Sequence, residues 1–138
     1  MYIHETKIKV RYVETDRMGI VHHSNYYSWF EVARGEFITD TGMTYSDMEE
    51  EGIMMPVLES SCKYIQAAKY ENILIIQAWI HEINGAKAIF NYKVIREKDN
   101  TIIATGSTKH AFVNNKFKIV NIKKVKPDIW NKLTHKTK

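Results

Sequence analysis

The sequence predicts an α+β fold in which an antiparallel sheet wraps around one long helix. Two observations carry this prediction. An apolar segment with helical spacing lies in the first third of the 138 residues, and four strand-like segments separated by turn residues follow it. A helix that is apolar around most of its circumference has to be enclosed, so the later strands are expected to surround it.

The first strand is predicted around Ile8, Val10 and Tyr12, which alternate with charged residues. The long helix follows a loop at residues 16–24, and Ser24 or Asn25 is expected to cap its start. Its apolar stripe and the residues that widen it are Tyr26, Phe30, Ala33 and Phe37, with Tyr27, Trp29, Val32 and Ile38.

The long helix is expected to stop at Thr41-Gly42, because glycine is common just after a helix. Thr44 and Asp47 then have the spacing of a capping box, which predicts a short acidic helix ending near Gly52.

The strand-like segments span residues 57–65, 73–83, 86–95 and 101–113. Asn84-Gly85 is the strongest hairpin signal, because both central positions of a type I′ turn require positive φ. Asp99-Asn100 and Asn114-Asn115 mark two further reversals. Pro127 suits the first turn of a short terminal helix. We expect one domain over residues 1–138.

Charge is unevenly distributed along the chain, whose net charge is +4. Residues 116–138 contain eight lysines and one acid, so the remaining residues carry a net −3. A basic tail from about residue 121 could attract nucleic acid, an anionic membrane or a phosphorylated ligand, or could simply be solvated. No apolar run reaches the roughly 20 residues of a membrane helix, no secretory segment is evident, and Cys62 is the only cysteine. A cytoplasmic location is therefore expected.

The segment Asp16-x-x-Gly19-x-Val21-x-His23-x-x-Tyr26 carries the functional signal. It joins a carboxylate, a glycine turn and the start of a helix, where free backbone N–H groups and positive potential are available. These groups can attack a carbonyl and stabilise the oxyanion that forms. The alternative for Asp16 is a structural role in a turn, and His23 could be a buried, hydrogen-bonded residue.

With this motif, the chain resembles the 4-hydroxybenzoyl-CoA thioesterase branch of the hot-dog superfamily over roughly residues 7–120. The residues that carry the resemblance are Tyr12, Thr15-Asp16, Gly19, Val21, His23, Tyr26, Glu31, Ala33-Arg34, Pro56-Val57, Tyr70-Glu71-Asn72, Ala104-Thr105-Gly106 and His110-Ala111-Phe112-Val113. The resemblance implies a hot-dog fold, hydrolysis of an acyl-CoA thioester, no metal or organic cofactor, and a homodimer or homotetramer with sites between subunits.

The resemblance assigns the catalytic aspartate to Asp16 and a catalytic histidine to His23. Asp16 could attack the thioester directly or deprotonate a water molecule, and the sequence leaves both routes open. Some relatives use a carboxylate on the helix instead, which would be Glu31. Glu31 and Arg34 would otherwise form a local ion pair. The role of His22 is open.

The predicted substrate-binding residues lie in three parts of the chain. Gly19, Val21 and Tyr26 belong to the motif, with Gly19 allowing a tight turn and Tyr26 bordering the acyl pocket. Ser60 and Ser61 could reach the substrate from the first later strand, and Lys87 could contact the phosphates of CoA. The lysines at 116, 118, 123 and 124 are further candidates for phosphate contacts.

Other functions compete with acyl-CoA hydrolysis. They are a non-enzymatic acyl-CoA-binding module and a thioesterase acting on acyl carrier protein. Nucleic-acid binding by the tail is not expected, because clustered arginines with interleaved aromatic residues are missing. A hot-dog dehydratase is not expected either, because its site patterns differ. The identity of the acyl group is not predicted.

Overall fold

The computed structural model describes residues 1–135. Its elements are β1 (His4–Lys9), a 3-10 turn (Tyr12–Glu14), α1 (Asn25–Asp40), α2 (Tyr45–Glu50), β2 (Val57–Tyr64), β3 (Ile73–Ile83), β4 (Lys87–Arg96), β5 (Thr101–Ala111), α3 (Ile122–Val125) and α4 (Pro127–His135). The strands form one antiparallel sheet in the order β1-β3-β4-β5-β2. The predicted α+β class is confirmed.

The core lies between α1 and one face of the sheet. Alternate residues of β3 and β4 are buried, as expected for strands with one face on the core. From α1, Phe30 stacks on Tyr92 with ring centroids 4.4 Å apart, and Phe37 meets the ring of Phe90 edge-on at 5.4 Å. The prediction that α1 is buried on most sides is wrong for a single chain, since Tyr27 and Val32 are 37% and 48% exposed.

The first strand ends earlier than predicted. β1 stops at Lys9, and the exposed Tyr12 belongs to the 3-10 turn. The turn gives Glu14 backbone and side-chain hydrogen bonds that an extended chain would not provide.

The β3–β4 hairpin forms at the predicted position, but its turn is not type I′. Neither Asn84 nor Gly85 has positive φ. The Asn84 side chain instead accepts the backbone N–H groups of Ala86 and Lys87, both at 2.8 Å. Glycine is required at position 85 for a different reason, because a Cβ atom there would collide with the side chain of Asn121.

The helix ends agree with the sequence in part. α1 ends at Asp40, followed by Gly42 at φ +99°, and the capping box between Thr44 and Asp47 is present at the start of α2. The expected cap of α1 is not made. Ser24 occupies the N-cap position, but its hydroxyl lies 2.8 Å from His22 Nδ1 and not on a helix amide.

The basic C-terminal segment is anchored up to residue 135. Ile122 of α3 and Ile129 and Leu133 of α4 are buried in the core. Lys123 places its ammonium 4.9 Å from the centroid of the Trp130 ring. No helix within residues 1–135 has the length and apolar content needed to cross a membrane.

A chain of buried hydrogen bonds joins α1 to the sheet. Arg34 Nη1 donates to the Tyr92 hydroxyl at 3.2 Å, which lies 2.6 Å from Thr108 Oγ1. Thr108 Oγ1 is 2.8 Å from His110 Nε2, and His110 Nδ1 is 3.1 Å from the Met55 carbonyl oxygen. A carbonyl can only accept, so His110 carries its proton on Nδ1 and Nε2 accepts from Thr108.

This network also corrects the expected ion pair between Glu31 and Arg34. Glu31 is exposed, whereas Arg34 is buried and donates to Tyr45 and Tyr92. The residue spacing was suitable for a local pair, but tertiary acceptors hold the guanidinium instead.

We predict that His110 makes the fold sensitive to acid. Burial, with the nearby Arg34 charge, lowers the pKa of His110 from 6.5 to about 4, so the unfolded chain binds a proton more readily than the native one. Stability is therefore full above pH 6.5 and falls by about 3 kcal/mol as the pH drops to 4. Urea unfolding between pH 7 and 4 measures this loss.

The variant His110→Gln isolates this contribution from that of the carboxylates. It should be less stable at pH 7, with a pH-dependent loss smaller by about 3 kcal/mol. Replacing the exposed His81 by Gln is the matched control and should leave the wild-type pH dependence intact. Parallel pH curves for wild type and His110→Gln would contradict the prediction.

Candidate active site

The loop between the 3-10 turn and α1 is closed by local hydrogen bonds. Thr15 pairs with Val21 in an isolated antiparallel bridge, and the Asp16 N–H donates to the Ile20 carbonyl at 2.8 Å. Asp16 Oδ1 accepts the Met18 N–H at 2.9 Å, and Gly19 has φ +81°, which favours glycine. The turn therefore holds the half-buried Asp16 side chain by one oxygen.

The other carboxylate oxygen of Asp16 is available for chemistry. Within residues 1–135, Oδ2 has no hydrogen-bond partner. A turn role and a chemical role for Asp16 are thus compatible, because each uses a different oxygen.

The start of α1 brings two histidines and a backbone donor to the same region. The rings of His22 and His23 lie 4.3 Å apart, and His22 is also held by Ser24. Among the described residues, the His23 backbone N–H has no acceptor. A free N–H just before a helix has favourable orientation and potential for binding an anion.

These groups line one cleft of about 370 Å³. The residues that line it are Asp16, Met18, Ile20, Val21, His23 and Tyr26 from the loop and the start of α1, and Tyr64, Ile65, Gln66 and Ala67 from the end of β2 and the segment after it. Two segments of the chain, separated by about 40 residues, therefore form the site together.

Aromatic side chains form part of the cleft lining. Tyr26 is 4% exposed, and its ring meets Tyr64 edge-on at 5.4 Å. His23 meets the same Tyr64 ring at 6.0 Å. Burial, together with the neighbouring Cys62 and Tyr64, raises the pKa of Tyr26 to about 12, so its hydroxyl stays a neutral donor at physiological pH.

The structure brings together some of the predicted site residues and separates others. Asp16, Val21, His23 and Tyr26 line the cleft, with Gly19 in the adjoining turn. In a single chain, Ser60, Ser61 and Lys87 lie outside it. Ser60 and Ser61 are exposed in the middle of β2, an edge strand. The helix carboxylate Glu31 is exposed and does not line the cleft.

Lys87 lies at the far end of the sheet from this cleft. Lys87 pairs with Ala111 of β5, and the neighbouring His110 pairs with Val57 at the start of β2. Tyr64, which lines the cleft, is at the other end of β2 and pairs with Ala104. The assignments of Ser60, Ser61 and Lys87 stay predictions.

Sequence reasoning missed two groups of residues. Tyr64 and Gln66 enter the cleft from the end of β2, and no local pattern marks them. Glu14 was also missed, although its position two residues before the motif aspartate could have marked it as a candidate. Its carboxylate is buried and accepts the indole N–H of Trp29 at 2.9 Å.

Across residues 1–135, no three His, Cys, Asp or Glu side chains come together as potential metal ligands.

A long helix against a five-stranded antiparallel sheet, with a carboxylate loop at the helix start, is the arrangement of hot-dog thioesterases. The crystal structure of the DHNA-CoA thioesterase from Staphylococcus aureus has a TM-score of 0.91 to this chain at 33% identity, covering 99% of this chain and 91% of that one. The predicted hot-dog fold is confirmed.

Comparisons of sequence agree with the structural class. The chain is 35% identical over 138 residues to the provisionally named acyl-CoA thioesterase YneP of Bacillus subtilis, covering 100% of this chain and 99% of that protein. It is 29% identical over 121 residues to the acyl-CoA thioesterase YbgC of Haemophilus influenzae, covering 87% and 82%. The family model of the Thioesterase-like superfamily matches residues 10–133.

The chain belongs to the Thioesterase-like superfamily. The predicted superfamily is confirmed, while the finer assignment to the 4-hydroxybenzoyl-CoA branch stays a prediction.

Proposed function

We propose that this thioesterase hydrolyses an acyl-CoA thioester to the free acid and CoA, with Asp16 as the essential carboxylate. The observation that carries the proposal is the shared cleft: Asp16 with its free Oδ2 lines it together with His23 and the start of α1. The relatives named acyl-CoA thioesterases support this reaction and its substrate class.

The reaction needs an oxygen nucleophile and a stabilised oxyanion. A thioester carbonyl is activated because sulfur donates poorly into it and thiolate leaves readily. Asp16 Oδ2 either attacks the carbonyl carbon, forming a mixed anhydride that water then hydrolyses, or removes a proton from the attacking water. Both routes expel the CoA thiolate, which takes up a proton.

The oxyanion is held by backbone N–H groups at the start of α1. The free His23 N–H is the first candidate, and the aligned peptide dipoles of the 16-residue helix add positive potential there. The His23 imidazole, also in the cleft, orients the water or the thioester.

An aromatic acyl group is the substrate class we favour. Tyr26 and Tyr64 line the cleft with aromatic rings that can contact an aromatic acyl group, and their hydroxyl groups can form hydrogen bonds to its polar substituents. A structural relative, at 33% identity, is named a DHNA-CoA thioesterase.

A second copy of the chain would complete the site. The two edges of the sheet differ: β1 carries charged residues at alternate positions, Glu5, Lys7 and Lys9, whereas β2 exposes the apolar or aromatic side chains of Val57, Leu58 and Tyr64. An uncovered edge strand with apolar side chains tends to pair with another strand. We therefore propose a homo-oligomer, as a dimer or a tetramer, built on β2–β2 pairing.

Such pairing explains how a distant lysine could contact CoA. If two β2 strands pair antiparallel about the midpoint between Ser60 and Ser61, Val57 of the second copy lies opposite Tyr64. Lys87 of the second copy then lies at the same height along the strands as the Asp16 cleft. Across the sheet the two are separated by three strand spacings, or about 14 Å. Its ammonium suits the CoA phosphates, and Ser60 and Ser61 would lie at the subunit junction.

A thiol-release assay over a panel of acyl-CoAs tests the function. We expect release of free CoA, with kcat/KM at least tenfold higher for aromatic acyl groups than for long aliphatic ones. An equal concentration of Asp16→Asn protein is the control for spontaneous hydrolysis. The protein is expected to act in the cytoplasm, where acyl-CoA is available.

The competing functions give distinct results in the same assay. Binding of acyl-CoA without thiol release would support a non-enzymatic binding module. Release only from acyl carrier protein thioesters would support that carrier as the substrate. A preference for long aliphatic chains would overturn the aromatic assignment but leave the reaction in place.

A further inference from the structure

Five hydrogen-bond donors converge on Glu14, which is only 5% exposed, and the longest of these bonds joins Arg11 Nη2 to Glu14 Oε2 at 3.5 Å. Its Oε1 accepts the Arg11 backbone N–H at 2.8 Å, and its Oε2 accepts the Trp29 indole N–H at 2.9 Å. Its carbonyl oxygen accepts the His22 N–H at 2.9 Å and Asn25 Nδ2 at 2.8 Å. Glu14 is therefore bonded both to the loop and to the first two turns of α1.

The two kinds of bond fix different parts of the site. The carbonyl holds the returning end of the loop, directly before His23. The side chain holds Trp29, one helical turn into α1. Asp16 follows Glu14 by two residues, so the spacing between the Asp16 carboxylate and the N–H donors of α1 depends on this residue.

We infer that Glu14 is a positioning residue, which sets Asp16 against the oxyanion donors at the start of α1; this rests on the proposed thioesterase function. The role is distinct from that of Asp16, because Glu14 does not line the cleft.

The carboxylate form is what the geometry requires. Burial on its own would raise the pKa of Glu14, but hydrogen bonds from Arg11 and Trp29 and the Arg11 charge bring it below its ordinary value. Both oxygens of the ionised group accept. A glutamine offers one acceptor oxygen and an NH₂ group with two donors, so its NH₂ group would face the N–H of either Arg11 or Trp29.

The test is Glu14→Gln in the full chain, assayed well below its melting temperature. We expect kcat to fall about ten- to hundredfold, because small misplacements of reacting groups are costly, while KM stays within about threefold. Thr108→Val is the matched control, because it disrupts buried hydrogen bonding away from the cleft by removing the bonds of Thr108 to Tyr92 and His110. It should lose thermal stability and keep kcat within about twofold.

A second variant removes the other partner of the same bond. Trp29→Phe should lower kcat as well, and the double variant should be no worse than the poorer single one, because the same interaction is lost. Two measurements do not depend on catalysis: the NMR resonance of the Trp29 indole N–H and the hydrogen exchange of the His22 amide. Both should change in Glu14→Gln and not in Thr108→Val.

The outcomes separate this inference from the proposed function. Lost stability with unchanged kcat in Glu14→Gln, as in Thr108→Val, would overturn the positioning role. If the wild type releases thiol from no substrate, the proposed function fails. The indole resonance and the His22 exchange then still decide whether Glu14 holds the loop.

Discussion

Replacing Asp16 by asparagine is expected to lower kcat/KM for acyl-CoA hydrolysis about a thousandfold while leaving the fold intact. Asparagine keeps an Oδ1 acceptor for the Met18 N–H, so the turn that depends on this bond is preserved. The amide cannot act as a nucleophile or a base. Thiol release and thermal unfolding, measured on the same preparation, check both parts of the expectation.

Asp99→Asn is the matched control for this variant. Asp99 is also a turn carboxylate, which accepts the Thr101 N–H at 3.1 Å and pairs with Arg96, but it lies in the β4–β5 hairpin. Its replacement should leave kcat/KM within about twofold. Full activity in folded Asp16→Asn would contradict the proposed catalytic role of Asp16. Glu31→Gln would then be the next variant to assay.

The parts of the site that the sequence predicted are close together in the chain. Asp16, Val21, His23 and Tyr26 lie within eleven residues, so one loop and one helical turn are enough to bring them into one cleft. Tyr64 comes from a strand 38 residues beyond Tyr26, and only tertiary packing places it there. The spacing of residues within one segment cannot predict a contact between two distant segments.

The fold shows the same division between local and distant causes. The turn residues that bound them predicted β3 and β4 within a residue or two, and in the structure each strand has one buried face. The turn at Gly85 was predicted from local φ preference, yet its glycine is required by Asn121, 36 residues later. Arg34 was paired with Glu31 by helical spacing, but buried acceptors on α2 and β4 hold it.

The double variant Ser60→Glu/Ser61→Glu is expected to produce an inactive monomer. In the proposed pairing, Ser60 lies opposite Ser61 of the second copy, so the variant places two like-charged pairs at the centre of the interface, which is destabilising. Both side chains are exposed in the single chain, so the monomer fold should tolerate them. Sedimentation should give a mass near the 16.2 kDa of one chain, with kcat/KM reduced at least a hundredfold.

Ser60→Thr/Ser61→Thr is the matched control for this experiment. It keeps the hydroxyl groups and the β propensity without adding charge, so assembly and activity should stay close to wild type. Ile3→Glu adds a charge beside β1, the opposite edge of the sheet, and should not change the mass. A glutamate variant that stays associated would contradict β2 pairing, and an active monomer would contradict a site completed by the second copy.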